Sequence, residues 1–526
     1  MWIASRPTRR VFNRAFGAMA ILLSAAVAGA TAEAHAAVAI PTNVHEFVDS
    51  ELKRNGVPGA ALAVADRDDI AVETFGNTGR DDQPVAAETP FLIGSVTKSF
   101  TAAATMQLAE RGSLDLDAPV SEYLPWFAVQ PAEYLDRVTP RTLLNQTSGI
   151  PTDAGGGALR YLEDVPIAAA AMELDGVELT GPPGERFEYA NGNYVLLGAL
   201  IEAVSGRGYG AYLQAHIFDP LGMTRSFTAL APAQAAGMSE GHRYWFGFTL
   251  PHVTFTDALL PAGGVISSAP DVARFAQMLL NGGAVGGERI LTRASVAAMQ
   301  TPAANATVGP WAKDPNVAYG MGLYVGGAPF GPEDASFHPG GSPDFGAMLV
   351  LLPEQDRALV LLMNATPEVT MPGAAGALDR IGAGATSLLT GSTPADGPSM
   401  HGYYLAFDLI AAALLAALIW ALVRAIRRPP GAPRSRLRGV LRVGRATLAL
   451  LVGALLLLFP LLSGLGWKVM FLSVPDHAIV AIVFGLLLCT IGTVRLVRLG
   501  RRRFSSPADG EGRSPSEPPA APMAAT

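Results

Sequence analysis

The sequence predicts an α/β (α+β) domain that includes a mainly helical part, followed by three transmembrane helices. Strand-like segments form hairpin-like pairs on either side of a long region of helical and loop sequence, which indicates an antiparallel sheet with a large helical insertion. After Gly397 the composition changes, and three apolar stretches appear that are each about long enough to cross a bilayer of roughly 30 Å.

The predicted strands come in two pairs. Segments 60–65 and 70–75 are joined by residues 67–69, and segments 345–352 and 358–364 are joined by residues 353–356. Apolar, β-branched runs that are bounded by turn residues are typical of strands. The soluble part has about 360 residues, more than a single hydrophobic core usually contains, so we expect two lobes with a cleft between them.

One lysine is a candidate for chemistry. The chain has four lysines against 34 arginines (38 basic residues less four), and Lys98 follows Ser95 by three positions. A desolvated lysine can lose its proton and act as a base, whereas an arginine cannot. Segment 95–112 is rich in helix-forming residues and ends in glycine, which predicts a helix with Ser95 at its start. Positions i and i+3 share a helix face, so the two side chains form a candidate nucleophile and base.

The pattern has simpler interpretations as well. Ser95 could be only the N-cap of a core helix. A second Ser-x-x-Lys, from Ser50 to Lys53, lies in the charged amphipathic stretch 44–55 and is assigned to a solvent-exposed helix face.

Two further motifs support the pair. Tyr189 and Asn191 flank an alanine, and a tyrosine near a lysine can pass a proton to a leaving group, while an asparagine offers a donor and an acceptor to a substrate amide. The motif His338-Pro-Gly-Gly341 would let a substrate approach an edge strand closely. The alternatives are a turn with a half-buried tyrosine and an ordinary glycine loop.

Together, Ser95-x-x-Lys98, Tyr189-x-Asn191 and His338-x-Gly340 resemble the three motifs of the serine β-lactamase and penicillin-binding protein superfamily. The likeness is closest to the branch that contains class C β-lactamases, D-Ala-D-Ala carboxypeptidases and esterases. It extends over about residues 41–390, through LAERGSLDLDAPVSEYLPWF, TPRTLLNQTSGIP, IFDPLGMTRSF and PAGGVISSAPDVARF.

The resemblance implies a β-lactamase-like fold: a discontinuous antiparallel sheet flanked by helices, with a mainly helical lobe facing it and the site between them. It also implies a serine hydrolase that works through an acyl-enzyme. The implied roles are Ser95 as nucleophile, Lys98 and Tyr189 as general base, Asn191, His338 and Gly340 in substrate binding, and the backbone N–H groups of Ser95 and Gly341 as oxyanion hole.

Two features depart from the pattern. The better-known β-lactamases of this branch carry a lysine at the position of His338, where it helps to hold a substrate carboxylate. A histidine with a pKa of about 6.5 is largely neutral at pH 7, so we hypothesise that the substrate need not carry a carboxylate. The chain also lacks a Glu-x-x-Leu-Asn segment, so deacylation would fall to Tyr189 and Lys98.

A competing hydrolase signature occurs at Gly237-Met-Ser239-Glu-Gly241, which matches Gly-x-Ser-x-Gly. That motif needs an apolar strand before it and a helix after it, yet APAQAA precedes it and HRYWFG follows it. We therefore interpret it as a loop near the cleft, which residues such as His242, Tyr244 and Trp245 would line.

The N-terminus has the layout of an export signal. Four arginines precede an apolar run over 15–30, and Ala34-His-Ala36 resembles a cleavage site, so we predict a signal over 1–37 and an exported domain over 38–400. Residues 8–13 resemble a twin-arginine signal, and a general secretory signal is the alternative. An uncleaved anchor is disfavoured because the run is short.

The apolar stretches at about 403–423, 446–466 and 474–494 predict transmembrane helices within 401–496. Eight arginines and no acidic residue lie between the first two, and five arginines follow the third. By the positive-inside rule both segments face the cytoplasm, so the catalytic domain lies on the extracytoplasmic side of the cytoplasmic membrane. Helices buried in a soluble core are the alternative. The composition of the chain end predicts a disordered cytoplasmic tail over residues 497–526.

Composition limits the remaining possibilities. The net charge of −7 combines a cationic C-terminal region with a more acidic exported domain, which argues against nucleic acid as a partner. The only cysteine, Cys489, lies in the third apolar stretch, which excludes disulfides, a cysteine nucleophile and a cysteine-based zinc site. Eight histidines show no ligand spacing, so we predict no metal and no cofactor.

Three classes of function remain. The leading prediction is a membrane-anchored serine hydrolase that acts on cell-wall D-Ala-type peptides, β-lactams, or ester or amide compounds. The alternatives are a slowly acylated sensor and a catalytically retired membrane scaffold. The predicted partners are a small-molecule or peptide substrate and the membrane, and the sequence leaves the oligomeric state open.

Overall fold

A computed structural model describes residues 37–154, 165–303, 317–326, 334–366, 376–427, 435–462 and 466–504. Residues 1–36 of the export signal predicted over 1–37, and most of the predicted tail, lie outside these residues. A seven-stranded antiparallel sheet and a separate hairpin contain the longer strands. In chain order, the strands of this sheet and this hairpin are β1 (Gly59–Ala65), β2 (Ile70–Gly76), β3 (His242–Trp245), β4 (Phe248–Pro251), β5 (Ala318–Tyr319), β6 (Tyr324–Val325), β7 (Ser336–Gly341), β8 (Gly346–Leu352) and β9 (Arg357–Met363).

The sheet joins the two ends of the soluble domain. Its order is β5-β6-β7-β8-β9-β1-β2, so the N-terminal hairpin pairs with a strand that lies about 300 residues later, as in Ala60 opposite Met363. The predicted strand pairs and the discontinuous antiparallel sheet are confirmed. Both faces of the central strands are buried, because alternate residues of β8 belong to two hydrophobic clusters on opposite sides of the sheet.

Helices cover both faces of the sheet. Before Met400, the described helices of at least ten residues are α1 (Thr42–Asn55), α2 (Thr97–Glu110), α3 (Asn191–Ser205), α5 (Ala269–Leu280) and α6 (Ala377–Leu389), and the short helix beside the site is α4 (Leu260–Gly263). α5 packs on β1 and β9, while α1 and α6 pack against each other on the other face. Shorter helices are Val120–Tyr123, Pro140–Leu144, Ile167–Met172, Tyr209–Leu213, Leu230–Ala235 and Arg293–Met299, and two-residue strands are Phe91–Leu92, Val129–Gln130, Val177–Glu178, Ile266–Ser267, Ala284–Val285 and Glu288–Arg289.

The central helix α2 is buried along most of its length. Its side chains from Thr97 to Leu108 are buried, and the ring of Phe100 stacks on that of Phe275 in α5 with centroids 3.9 Å apart. The helix ends at Glu110, two residues before the predicted end at Gly112, and that glycine has a left-handed φ of +68° that terminates it. A helix without a polar face must be surrounded by other elements, and α2 therefore forms the centre of the helical lobe.

The C-terminal region is helical. It contains α7 (Met400–Arg427), α8 (Arg436–Leu462), α9 (Gly466–Ser473) and α10 (Pro475–Phe504). Three helical segments are long and apolar enough to cross a membrane: Met400–Arg427, Leu437–Leu462 and Pro475–Gly500. This agrees with the three predicted transmembrane helices.

Two predicted boundaries differ from the structure. The second helix begins ten residues before the predicted start at 446, and the third continues through 497–504, which had been assigned to the tail. Both extensions are rich in arginine, which forms helices well although it is excluded from an apolar stretch.

The soluble domain is joined tightly to the first of these helices. The backbone N–H of Met400 donates to Oδ1 of the buried Asn55 at 3.0 Å, and Arg54 donates to the backbone oxygen of Gly397 at 2.7 Å. A second contact joins the β3–β4 hairpin to α10, where the N–H of Phe246 donates to a carboxylate oxygen of Asp476 at 3.0 Å. Among the described residues, the domain before Met400 is therefore attached to the C-terminal helices by polar contacts at two places.

Candidate active site

Ser95 lies in a tight turn that leads into α2. The turn is a 3-10 segment, Gly94–Val96, and the α-helix begins at Thr97, two residues later than predicted. The residue before the serine is a glycine for a steric reason. Gly94 has a φ of +52°, and a β-carbon there would lie 2.9 Å from the backbone nitrogen of Gly341. The turn therefore sits directly against the end of β7.

Lys98 points toward Ser95 and is completely buried. Its Nζ lies 3.0 Å from Ser95 Oγ, 2.8 Å from Asn191 Oδ1 and 2.7 Å from the backbone oxygen of Ala262. Loss of water around the amine holds the pKa of Lys98 well below its usual value. The structure thus brings together three predicted side chains, Ser95, Lys98 and Asn191, and adds a backbone acceptor.

The Ala262 carbonyl is held in place by α2 itself. Thr101 Oγ1 donates to the backbone oxygen of Pro261 at 2.6 Å, and Thr97 Oγ1 accepts from the N–H of Val265 at 3.1 Å. These bonds fix the segment that contains α4 across the helix that carries Lys98. Ala262 lies in the segment PAGGVISS, but the sequence did not identify it as a site residue, because a backbone acceptor has no side-chain signature.

Tyr189 lies beside the lysine. It is half-buried, it precedes α3 by two residues, and its ring centroid is 4.7 Å from Lys98 Nζ. A second aromatic ring, that of the fully buried Tyr194 in α3, lies 5.6 Å from the same atom. The amine is therefore enclosed by aromatic rings on the side of α3, which strengthens its desolvation.

His338 lies on β7 as predicted, but its side chain is only 1% exposed. Its Nδ1 lies 2.7 Å from the backbone oxygen of Pro339, and its Nε2 lies 3.0 Å from the hydroxyl of Tyr319. Because a carbonyl can only accept, Nδ1 carries the proton, and the Tyr319 hydroxyl donates to Nε2. Burial, and secondarily the charge of Lys98 when it is protonated, lowers the pKa of His338 to about 3. The ring is neutral near pH 7, in agreement with the sequence argument.

The two glycines after His338 allow β7 to approach the serine turn. A β-carbon at Gly340 would lie 2.1 Å from the backbone oxygen of Ile93, a distance that requires the backbone to move. Gly341 ends the strand opposite Gly346 on β8. The backbone of Gly341 thus lies beside the turn that carries Ser95, as an oxyanion hole formed by these two residues requires.

The competing serine is engaged in structural hydrogen bonds. Ser239 is 2% exposed, its hydroxyl donates to the backbone oxygen of Thr78 at 3.1 Å, and it accepts from Asn364 Nδ2 at 3.1 Å. It lies in a loop before β3 and not at a strand-to-helix turn. The buried His242 contacts the backbone oxygen of Asn364, so it does not line an open cleft. In the part of the chain that the structure describes, no three His, Cys, Asp or Glu side chains form a group that could hold a metal.

Comparisons with known proteins agree with this geometry. The β-lactamase family model matches residues 44–383. Penicillin-binding protein 4 of Amycolatopsis lactamdurans is 34% identical over 265 residues, which are 48% of this chain and 68% of that protein. The putative penicillin-binding protein PbpX of Bacillus subtilis is 30% identical over 286 residues, 53% of this chain and 65% of that protein. The matches therefore span about two thirds of these relatives.

Solved structures show the same fold. The octameric penicillin-binding protein homologue from Pyrococcus abyssi superposes with a TM-score of 0.56 at 27% identity, over 69% of this chain and 80% of that one. A D-stereospecific amidohydrolase from Streptomyces superposes with a TM-score of 0.51 at 25% identity, over 62% of this chain and 94% of that one. The hydrolase EstCE1 superposes with a TM-score of 0.55 at 20% identity, over 66% of this chain and 97% of that one. At this identity the likeness supports the fold alone. The chain belongs to the β-lactamase family, within the superfamily of serine β-lactamases and penicillin-binding proteins.

Proposed function

We propose that this protein is a membrane-anchored serine hydrolase in which Ser95 forms an acyl-enzyme. The observation that carries the proposal is the set of partners around Lys98. A neutral amine has two N–H donors and one lone pair, and Nζ has two oxygen acceptors, on Asn191 and Ala262, and one hydroxyl, on Ser95. The lone pair of a neutral Lys98 is therefore directed at the proton that the nucleophile must lose.

The proposed reaction has two steps. The Ser95 oxygen attacks a carbonyl carbon while its proton moves to Lys98, and the negative charge on the substrate oxygen is stabilised by the N–H groups of Ser95 and Gly341. The bond to the leaving group then breaks as the leaving group takes a proton, relayed through Tyr189. A water molecule then attacks the ester carbonyl of the acylated Ser95 by the same two steps. This releases the acid product and restores the serine hydroxyl.

The substrate class follows from the charge around the site. A neutral His338 whose two ring nitrogens both have partners supplies neither a positive charge nor a free donor for a carboxylate. Neutral esters and amides are therefore the favoured substrates, with D-Ala-type peptides and β-lactams as further candidates. The relatives include penicillin-binding proteins and an amidohydrolase, which agrees with this range.

The proposed location is the extracytoplasmic side of the cytoplasmic membrane. Two arginine-rich segments follow the first and third apolar stretches of the sequence, at 424–445 and 495–503, and the positive-inside rule assigns both to the cytoplasm. The domain before Met400 then faces outward. An acyl-binding sensor and a retired scaffold share this topology, so activity measurements must separate them from a hydrolase.

The decisive experiment uses the full-length protein in detergent. It is exposed to a fluorophosphonate, a penicillin and an activated neutral ester, and its intact mass and product release are measured for wild type, Ser95→Ala and Ser239→Ala. We expect an adduct that is lost only in Ser95→Ala, together with turnover of the ester. A stable adduct without turnover would favour the sensor, and the absence of any adduct or product would favour the scaffold.

A further inference from the structure

Gln146 has a backbone conformation that glutamine rarely adopts. It follows the short helix Pro140–Leu144 by two residues, and its φ of +61° lies in the left-handed region. Helices commonly end on a residue in this conformation, which is usually glycine because a β-carbon makes it unfavourable. Gln146 is also completely buried. The chain therefore accepts a conformational cost at this position, and the side chain should provide something that glycine cannot.

Gln146 holds the segment that contains Tyr189 and Asn191. Its Oε1 accepts from the N–H of Ala190, the residue between these two, at 3.0 Å. Its backbone oxygen accepts from the N–H of Glu188 at 2.8 Å. The backbone on either side of Tyr189 is therefore hydrogen-bonded to this one glutamine.

The orientation of the Gln146 amide follows from its partners. The N–H of Ala190 can only donate, so the atom that faces it is the amide oxygen. The same oxygen accepts from Asn193 Nδ2 at 2.5 Å, and Asn193 Oδ1 accepts from Ser148 Oγ at 2.6 Å. The amide nitrogen of Gln146 is enclosed and has no hydrogen-bond partner among the residues that the structure describes. The two bonds of Oε1 are accordingly what this side chain contributes.

We propose that Gln146 is a positioning residue of the hydrolase, which sets Tyr189 and Asn191 against Lys98. The Tyr189 ring centroid lies 4.7 Å from Lys98 Nζ, and Asn191 Oδ1 lies 2.8 Å from it. A displacement of Ala190, which joins the two, would change both distances, and proton transfer depends steeply on such geometry. The inference rests on the proposed function, because it concerns the proton relay through Tyr189 to the leaving group.

The test compares two esters of the same acid, with the full-length protein in detergent. A p-nitrophenyl ester releases a stable anion, whereas an ethyl ester releases an alkoxide that must take a proton as it leaves. Both give the same acyl-enzyme, and kcat/KM reports the formation of that acyl-enzyme. The ratio of the two kcat/KM values therefore measures the proton relay, and a loss of folded protein, which lowers both values equally, leaves it unchanged.

Two variants of Gln146 are compared with a matched control. Gln146→Met keeps the approximate size of the side chain and removes its acceptor, while Gln146→Gly removes the side chain at a φ that glycine adopts freely. The control is Gln107→Met. Gln107 is buried in α2, and its Nε2 donates to the backbone oxygens of His216 and Ile290, at 3.0 Å each. Tyr189→Phe is measured alone and in combination with Gln146→Met.

Both Gln146 variants should lower kcat/KM for the ethyl ester about tenfold more than for the nitrophenyl ester. Tyr189→Phe should show a selective loss of the same kind. The double variant should lose no more of the ratio than Tyr189→Phe alone, since Gln146 acts through Tyr189. Gln107→Met should lower the thermal unfolding midpoint and keep the wild-type ratio.

The outcomes separate this inference from the function on which it rests. A wild-type ratio in the folded Gln146 variants, when Tyr189→Phe has lost it, would overturn the role of Gln146 alone. A further loss in the double variant would overturn it as well, because the two residues would then act independently. An unchanged ratio in Tyr189→Phe, or no hydrolysis by the wild type, would contradict the proposed function, and the role of Gln146 would fall with it.

Discussion

The hydroxyl of Tyr319 lies 3.0 Å from Nε2 of His338, so a buried tyrosine occupies the ring nitrogen that would otherwise face other donors. The opposite nitrogen is bonded to the Pro339 carbonyl. At the place where better-known relatives carry a lysine, this chain therefore has a neutral ring with both nitrogens engaged. At this position the site therefore offers a substrate carboxylate neither a positive charge nor a free hydrogen-bond donor.

We expect neutral esters and their carboxylated analogues to be hydrolysed with kcat/KM values within about tenfold of each other, because the neutral His338 cannot form a charge-assisted hydrogen bond with a carboxylate. The variant His338→Lys should shift the ratio toward the carboxylated analogue. Strict dependence of the wild type on the carboxylate would contradict this prediction. The measurement is kcat/KM for a matched pair of esters.

Tyr319→Phe should cost about 1–3 kcal/mol of stability, since Nε2 of His338 is left buried without its donor. It should also change the ratio between neutral and carboxylated esters, because Nε2 becomes free. Tyr209→Phe is a matched control: that tyrosine is equally buried, and its hydroxyl lies 2.6 Å from Thr101 Oγ1. It should lose stability with an unchanged ratio, and an identical ratio in both variants would argue against a role for Tyr319 in the site.

Lys98→Arg should lower kcat by roughly 10²–10⁴-fold at every pH, because a guanidinium cannot accept the serine proton. In the wild type, kcat/KM should fall on the acid side as Lys98 becomes protonated. Since burial lowers the pKa of Lys98, this fall should occur well below pH 10. Lys53→Met, which alters an exposed lysine, should leave the profile unchanged. Activity that rises only near pH 10 would show that Lys98 is an ordinary amine.

Gly340→Ala should reduce kcat by about 10²-fold, since the new β-carbon would lie 2.1 Å from the Ile93 carbonyl and would move β7 away from the serine turn. Gly181→Ala is the control, because no atom lies within 4 Å of the β-carbon added there. Steady-state kinetics of the two variants makes the comparison. Equal activity would mean that the strand position tolerates this displacement.

Acidification should destabilise the soluble domain through His338. Its pKa is about 3 in the folded state against about 6.5 in an unfolded chain, so between these values the unfolded state binds more protons. Stability should therefore decline as the pH falls from about 6.5 toward 3. The thermal unfolding midpoint of His338→Gln should depend less on pH over this window than that of the wild type.

Local sequence signals predicted the sheet and the centre of the site. The two hairpins were visible because apolar runs flank short polar turns, and Ser95 and Lys98 were paired because three residues separate them at a helix start. Ala262 was not predictable, since its contribution is a backbone oxygen positioned by long-range contacts. Tyr319 was missed for a related reason. It lies on β5, and only the pairing of β6 between that strand and β7 brings it near His338.

The attachment of Met400 to Asn55 limits the reach of the proposed hydrolase. Arg54 also holds the Gly397 carbonyl just before the first apolar helix, and the contact of the hairpin with Asp476 attaches the domain to the helices at a second point. With these helices in a bilayer, the two attachments would keep the candidate cleft close to the lipid surface. Molecules tethered to the same membrane are presented to it continually, whereas distant polymers must be brought down to it.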